Sequence, residues 1–338
     1  MPETDAPALP TQVSGAAAPS PRWRPRGATL LSLALSAVIL GALYRSIDVR
    51  LIFRELRSVD KGLLLVSVGM IVPITVLRAI RFYLVVPRGT VASIAEALRL
   101  TLVATAANVF MPAKSGDLIK SYFIAKARTS AGVSIAVVVY ERLCDLAGLI
   151  TWCALGWLVA RPVVVGVPPA LWPVLGAFGA LCVVLVSSAR VARLAAAVVA
   201  RVLGGRLPRI SALVEGWPGL FQALGRRRAA VIVMSLLLWL VHVIQIWMFT
   251  VALSINVPFM VSASLSAVAL MVGQLPFSFA GLGARDVALV VLMRAYVRPE
   301  SAAALGLLIS TRNLLPPLAA LPIMRPYVAK LAAGVRGR

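Results

Sequence analysis

Six apolar runs, at 28–44, 62–80, 131–160, 170–188, 229–253 and 301–323, set what this chain can fold into. Runs of this size approach the roughly 20 residues that a helix needs to cross a bilayer core. Hydrocarbon offers no partner to an unpaired backbone group, so a chain with such runs is expected to cross as helices. The reading is an all-α polytopic membrane protein. Composition agrees, because 60% of the residues are hydrophobic along the whole length, more than a soluble domain needs.

The formal net charge of +22 would suggest nucleic acid in a soluble protein. No basic soluble module is present, and Lys and Arg crowd the ends of apolar runs, where they face anionic lipid. Nucleic acid is therefore not expected as a partner. Cys144, Cys153 and Cys182 lie in apolar runs without a C-x-x-C and read as packing residues. The single histidine, His242, lies in L-W-L-V-H-V-I-Q-I-W. With no H-E-x-x-H and no paired Cys/His ligands, a zinc site is not expected. No Walker loop occurs, and G-L-G-A-R-D at 281–286 lacks the third glycine of a dinucleotide fingerprint. No cofactor is expected.

Residues 1–26 are rich in Pro, Ala, Ser and Thr and end in Arg22, Arg24 and Arg26, the composition of a disordered basic tail. The run 28–44 that follows is expected to be an uncleaved first span rather than a cleaved signal peptide, because the leader is long and no clear A-x-A site follows. Residues 45–61 place Ile47, Leu51 and Leu56 among charges, which suggests a short interfacial helix. The second run ends in L-R-A-I-R-F-Y, where Arg78 and Arg81 share a helix face at i,i+3. Residues 189–228 hold eight arginines against one acid, Glu215, and read as cytoplasmic interfacial helices. The last run contains Arg312, Asn313 and Pro316-Pro317, and the basic segment 326–338 is expected to be a cytoplasmic tail.

Two further apolar stretches are interrupted. In 91–128 the run reaches Asn108, breaks at Pro112, turns past Lys114 and restarts at Gly116-Asp117, with an anion at the new helix N-terminus. In 259–298 it reaches Gln274, breaks at Pro276 and restarts at Gly281, Gly283, Arg285 and Asp286. A matched pair of Gly/Pro-interrupted segments marks a repeat transporter with a site near the bilayer midplane. Taken as re-entrant hairpins, they leave about six full spans and form an inverted repeat, with halves at about 62–188 and 229–323 joined by 189–228. Both termini then lie in the cytoplasm. The 45–61 loop falls outside despite five basic and three acidic residues.

Glu141 and Asp145 stand four apart on one helix face, and Arg142 is placed to reach Asp145 at i,i+3. Lys114 and Asp117 join them if the hairpin packs on that span. Such a cluster can hold a phosphate through its cations while the carboxylates position them, and a half-helix N-terminus adds backbone donors. The competing reading is a salt-bridge network that only fixes the hairpin. The two breaks are expected to line one cavity.

The order N-x3-P-x3-G-D, then Y-E-R-x2-D, then L-P-x-S-x-x-G-L-G-x-R-D resembles the flippase-like transmembrane family, whose namesake is the membrane region of bacterial lysylphosphatidylglycerol synthases. The resemblance covers about residues 27–325. It implies a bacterial inner-membrane protein that moves a lipid or lipid-linked headgroup between leaflets. The motif positions are Asn108, Pro112, Gly116, Asp117, Glu141, Arg142, Asp145, Pro276, Gly281, Gly283, Arg285 and Asp286. Arg78, Arg81, Lys114, Gln274 and Arg312 complete the expected binding set. The synthases carry a soluble aminoacyl-transfer domain after this region. This sequence stops after its last span, so lysyl transfer is not expected. The expected partners are membrane lipids and a lipid-modifying or lipid-synthesis enzyme. Two other functions fit the residues: a membrane-embedded transferase with Mg²⁺ on Glu141 and Asp145, and a non-transporting partner of a lipid-synthesis enzyme.

Overall fold

The computed structural model describes residues 26–336 except 46, 111–115, 127–128, 165–169, 203–207 and 275–282, and among the described residues every regular element is helical. Four helical segments are long and apolar enough to cross a membrane. They are Lys61–Val85, formed by α3 (Lys61–Gly69) and α4 (Ile71–Val85), then α7 (Ala131–Ala160), α11 (Arg227–Ala252), and Pro299–Tyr327 within α14 (Pro299–Arg336). A fifth crossing is available if α8 (Leu171–Ser187) and the start of α9 (Ala189–Val202) count as one span bent by 117°. Among the described residues, four segments, or five with the bent pair, meet that length and apolarity, against the six full spans expected from hydropathy. The 28–44 run forms α1 (Arg26–Arg45), whose described apolar part, Ala34–Arg45, is shorter than a full crossing.

The second span runs beyond its expected end. Helix continues to Val85, so Arg78 and Arg81 lie inside it, and Arg81 is only 1% exposed. Near the N-terminus, α2 (Val49–Arg57) is the amphipathic helix expected within 45–61. The Asp48 carboxylate caps it by accepting from the Arg50 amide at 2.8 Å. Ile52 is buried, and Glu55 accepts from Arg298 at 2.5 Å, tying α2 to the start of α14.

The interrupted stretches give two pairs of shorter helices: α5 (Ile94–Phe110) with α6 (Leu118–Lys126), and α12 (Phe259–Val272) with α13 (Ala284–Met293). Pro112 and Lys114, and likewise Pro276 and Gly281, lie outside the described residues.

α7 is the hub, packed on α6, α8, α10 (Pro208–Leu224), α11 and α12. Glycine lets its neighbours approach backbone to backbone. A Cβ on Gly216 of α10 would lie 2.0 Å from the Gly132 carbonyl carbon, and one on Gly156 would lie 2.4 Å from the Met260 carbonyl oxygen. This contact changes the reading of 189–228. α9 is surface-like, with Leu194, Val198 and Val202 exposed, but α10 buries Trp217, Leu220, Phe221 and Leu224. At the other end, α14 passes through Pro316, Pro317, Pro322 and Pro326 and stays helical to Arg336, across most of the expected tail. Its 38 residues make a rod of about 57 Å at the usual rise per residue, longer than a bilayer core is thick.

Two apolar clusters form the core. One gathers α1, α2, α12, α13 and α14 with the later halves of α7 and α11. The other gathers α4, α5, α6 and α10 with the earlier halves of α7 and α11. Glu141, Arg142 and Asp145 fall on α7 between Tyr140 of the second cluster and Leu149 of the first.

Candidate functional site

At that junction a cavity of about 140 Å³ opens among α4, α5, α6, α7, α11, α12, α13 and α14. Its walls include Arg78, Arg81, Asn108, Asp117, Glu141, Arg142, Asp145, Gln274, Arg285 and Arg312. The ends of both interrupted segments therefore border the same space. Asn108 and Asp117 come from the first, and Gln274 and Arg285 from the second. Arg78, Arg81, Glu141, Arg142, Asp145 and Arg312 belong to helices long and apolar enough to cross a membrane, where ionisable groups are expected to face a cavity or one another.

Gly116 brings Asp117 into place. A Cβ there would lie 2.5 Å from the Asn108 amide nitrogen and 2.8 Å from the Ala104 carbonyl oxygen, so the restart packs flush against α5. Asp117 sits just before α6 and accepts from the Asn108 side-chain amide at 3.0 Å. Its other oxygen pairs with Arg142. Asp145 accepts from Arg81 at 2.6 Å and from the Trp239 indole at 3.2 Å. Glu141 accepts from Lys120 at 3.1 Å, with Arg81 3.9 Å away. The pairing expected along α7 thus gives way to pairing between helices. Arg142 reaches Asp117, and Asp145 takes Arg81. A cross-helix partner can approach a carboxylate head-on, which neighbours three apart on one helix do less directly.

The second restart is built differently. Arg285 donates to Asp286 at 2.6 and 2.9 Å, to the Gly306 carbonyl at 3.0 Å and to the Ser310 hydroxyl at 2.7 Å. Asp286 turns back to accept from the Gly283 amide at 3.1 Å. Gly283 has φ 86°, a conformation that favours glycine, and this aims the amide at the carboxylate. Asp286 stands behind Arg285 and does not line the cavity.

Lys120, Trp239 and His242 also line the wall, outside the expected binding set, although Lys120 belongs to the ionisable stretch 108–145 that the sequence marks. Arg312 approaches His242 Nδ1 at 3.1 Å, Arg78 approaches Nε2 at 3.5 Å, and the Trp239 ring packs on the imidazole with centroids 4.8 Å apart. The available signal was His242 itself, an ionisable residue within an apolar span. The weaker signal for Lys120 was its place three residues after Asp117, on the helix that restarts there.

Several buried polar atoms around the site make no hydrogen bond to the described residues: Arg81 Nε, Thr101 Oγ1, Asn108 Oδ1 and Arg285 Nη1. Buried polar groups nearly always have partners, so this space suits polar contents.

No curated protein matches the chain. The family model for the lysylphosphatidylglycerol synthase TM region matches residues 29–320, nearly the whole sequence, and the chain belongs to that family.

Proposed function

We propose that this protein is an integral membrane lipid translocase, a flippase or scramblase. It passes the headgroup of an anionic phospholipid or polyprenyl-linked lipid between leaflets through the α4–α7–α11–α14 cavity. The observation that carries this reading is the charge lining. Six basic side chains surround the space, and four carboxylates hold four of them in ion pairs. A headgroup taken into hydrocarbon loses its water at a cost of several kcal/mol or more. A wall of oriented donors replaces that water. The acyl chains stay in lipid, which the apolar outer faces of the spans permit.

The same pairs argue against the transferase alternative. Glu141 and Asp145 would have to bind Mg²⁺ there, but each already holds a cation of this chain, Lys120 and Arg81. In the proposed arrangement the protein resides in the bacterial cytoplasmic membrane with both termini and 189–228 in the cytoplasm. A lipid-synthesis enzyme supplies its substrate.

Reconstitution tests the reading. Purified protein in liposomes, given labelled lipids of several headgroups, is expected to equilibrate anionic lipids between leaflets within minutes, faster than zwitterionic ones. Outer-leaflet accessibility no different from protein-free liposomes for every anionic lipid would contradict it.

A further inference from the structure

The basic residues of the cavity are not equivalent. Arg81, Arg142, Lys120 and Arg285 each face a carboxylate, namely Asp145, Asp117, Glu141 and Asp286. Arg78 and Arg312 make no such pair among the described residues, and no acid of this sequence lies in the segments outside that description at 111–115 or 275–282. Both arginines converge on one imidazole from different helices, α4 and α14, at 3.5 and 3.1 Å from opposite nitrogens of His242.

This geometry has an internal conflict. A guanidinium only donates, and a neutral imidazole offers one donor and one acceptor. The ring can therefore accept from one arginine and must turn an N–H toward the other. A protonated ring would face both with donors and add a third positive charge. Two guanidinium groups that make no ion pair among the described residues and bracket one ring repel each other across it. An oxygen-rich anion removes the conflict by accepting from both guanidinium forks and from the ring N–H at once. Trp239, packed on the ring and itself hydrogen-bonded to Asp145, holds the imidazole in register.

We infer that Arg78, His242 and Arg312 form the seat for a doubly charged phosphoryl group, a phosphate monoester or diphosphate, at the head of the transported lipid. The charge count selects this class. Six basic wall side chains against four paired carboxylates leave an excess of two positive charges, which matches the roughly −1.5 to −2 of a monoester at neutral pH, whereas a phosphodiester carries a single charge. The assignment to a lipid rests on the translocase reading. The chemistry of the seat does not.

The test uses the full-length protein in detergent or nanodiscs and three probes: farnesyl phosphate, its methyl phosphodiester, and inorganic phosphate. Farnesyl phosphate is expected to bind at least about tenfold tighter than either of the others. Arg78→Gln and Arg312→Gln are each expected to weaken it about tenfold or more, while Arg193→Gln on exposed α9 leaves it unchanged. A second readout separates a seat from a structural role. Removing either arginine relieves like-charge repulsion, so the ligand-free unfolding temperature of both Gln variants should hold or rise. Arg78→Lys and Arg312→Lys keep the fold under test if a Gln variant fails to express.

Equal binding of the phosphodiester would overturn the assignment, as would unchanged affinity in the Gln variants or a loss of ligand-free stability in both the Gln and the Lys variants. Inorganic phosphate binding as tightly as farnesyl phosphate would overturn the lipid as its source. Absent leaflet exchange with the binding pattern intact would remove translocation and leave the seat. Exchange of a singly charged lipid that is indifferent to both Gln variants would remove the seat and leave translocation.

Discussion

Arg81 and Arg285 are each only 1% exposed, so their carboxylates decide whether these residues can be buried at all. Removing one partner of a buried pair costs about 3–5 kcal/mol, whereas replacing both by apolar groups is often neutral. Asp145→Asn is therefore expected to destabilise the protein by about 3–5 kcal/mol, read by unfolding in mixed micelles. Arg81→Met with Asp145→Leu should recover most of that loss while abolishing lipid exchange. A stable, inactive double variant assigns the pair to function, and a stable, active one would contradict that role. Arg142 differs, because its side chain is 30% exposed toward the cavity. Arg142→Ala should abolish exchange, and Arg142→Lys should not restore it fully, because lysine keeps the charge and loses the planar fork. Normal exchange with normal expression in Arg142→Ala would rule this out.

Elements meet in this protein through small residues. At the α7–α10 crossing, Gly216 faces Gly132 so closely that any side chain must push the helices apart. Gly216→Ala is expected to cost about 1–3 kcal/mol, the usual penalty of overpacking, with a lowered unfolding midpoint as its measure. An unchanged midpoint would mean that α10 is not docked there.

This is also the scale at which the sequence was hardest to read. Helix existence followed from apolar runs, and the amphipathic α2 followed from Ile47, Leu51 and Leu56 among charges. The restart at Gly116-Asp117 was legible because Pro, Gly and an N-terminal anion are local signals. Partners were not legible. Spacing within α7 suggested Arg142 on Asp145, but the carboxylates are taken by Arg81 of α4 and Lys120 of α6, which only tertiary packing brings near. Hydropathy likewise cut the second span short before Arg81. A charge lowers the window score whether or not a carboxylate waits for it across the helix interface. The glycine contact that docks α10 was hidden for the same reason, since nothing local distinguishes Gly216 from a flexible turn.

For the molecule as a whole, two expectations remain to be measured. The first is orientation. By the positive-inside bias, the arginine density in 189–228 and in the C-terminal segment is expected to put both on the cytoplasmic side. The three native cysteines are buried, so Gly205→Cys and Val335→Cys should dominate labelling by a membrane-impermeant thiol reagent. Neither should react from outside intact cells, and reaction at either would reverse the map. The second is the coupling of the two interrupted segments through one cavity. Variants at Asp117 and Arg285, on opposite breaks, are expected to be non-additive in exchange assays, because residues that share a partner or a ligand couple.

In the proposed function the headgroup enters this cavity between the two apolar clusters. The most direct measurement is photo-crosslinking in proteoliposomes with an anionic lipid that carries a photoreactive group on its head, followed by peptide mapping. Adducts are expected on wall positions such as Thr105, Trp239 and Asn313, reduced by Arg78→Gln and Arg312→Gln. Adducts confined to the exposed faces of α2 and α9, with the cavity residues unmodified, would contradict it.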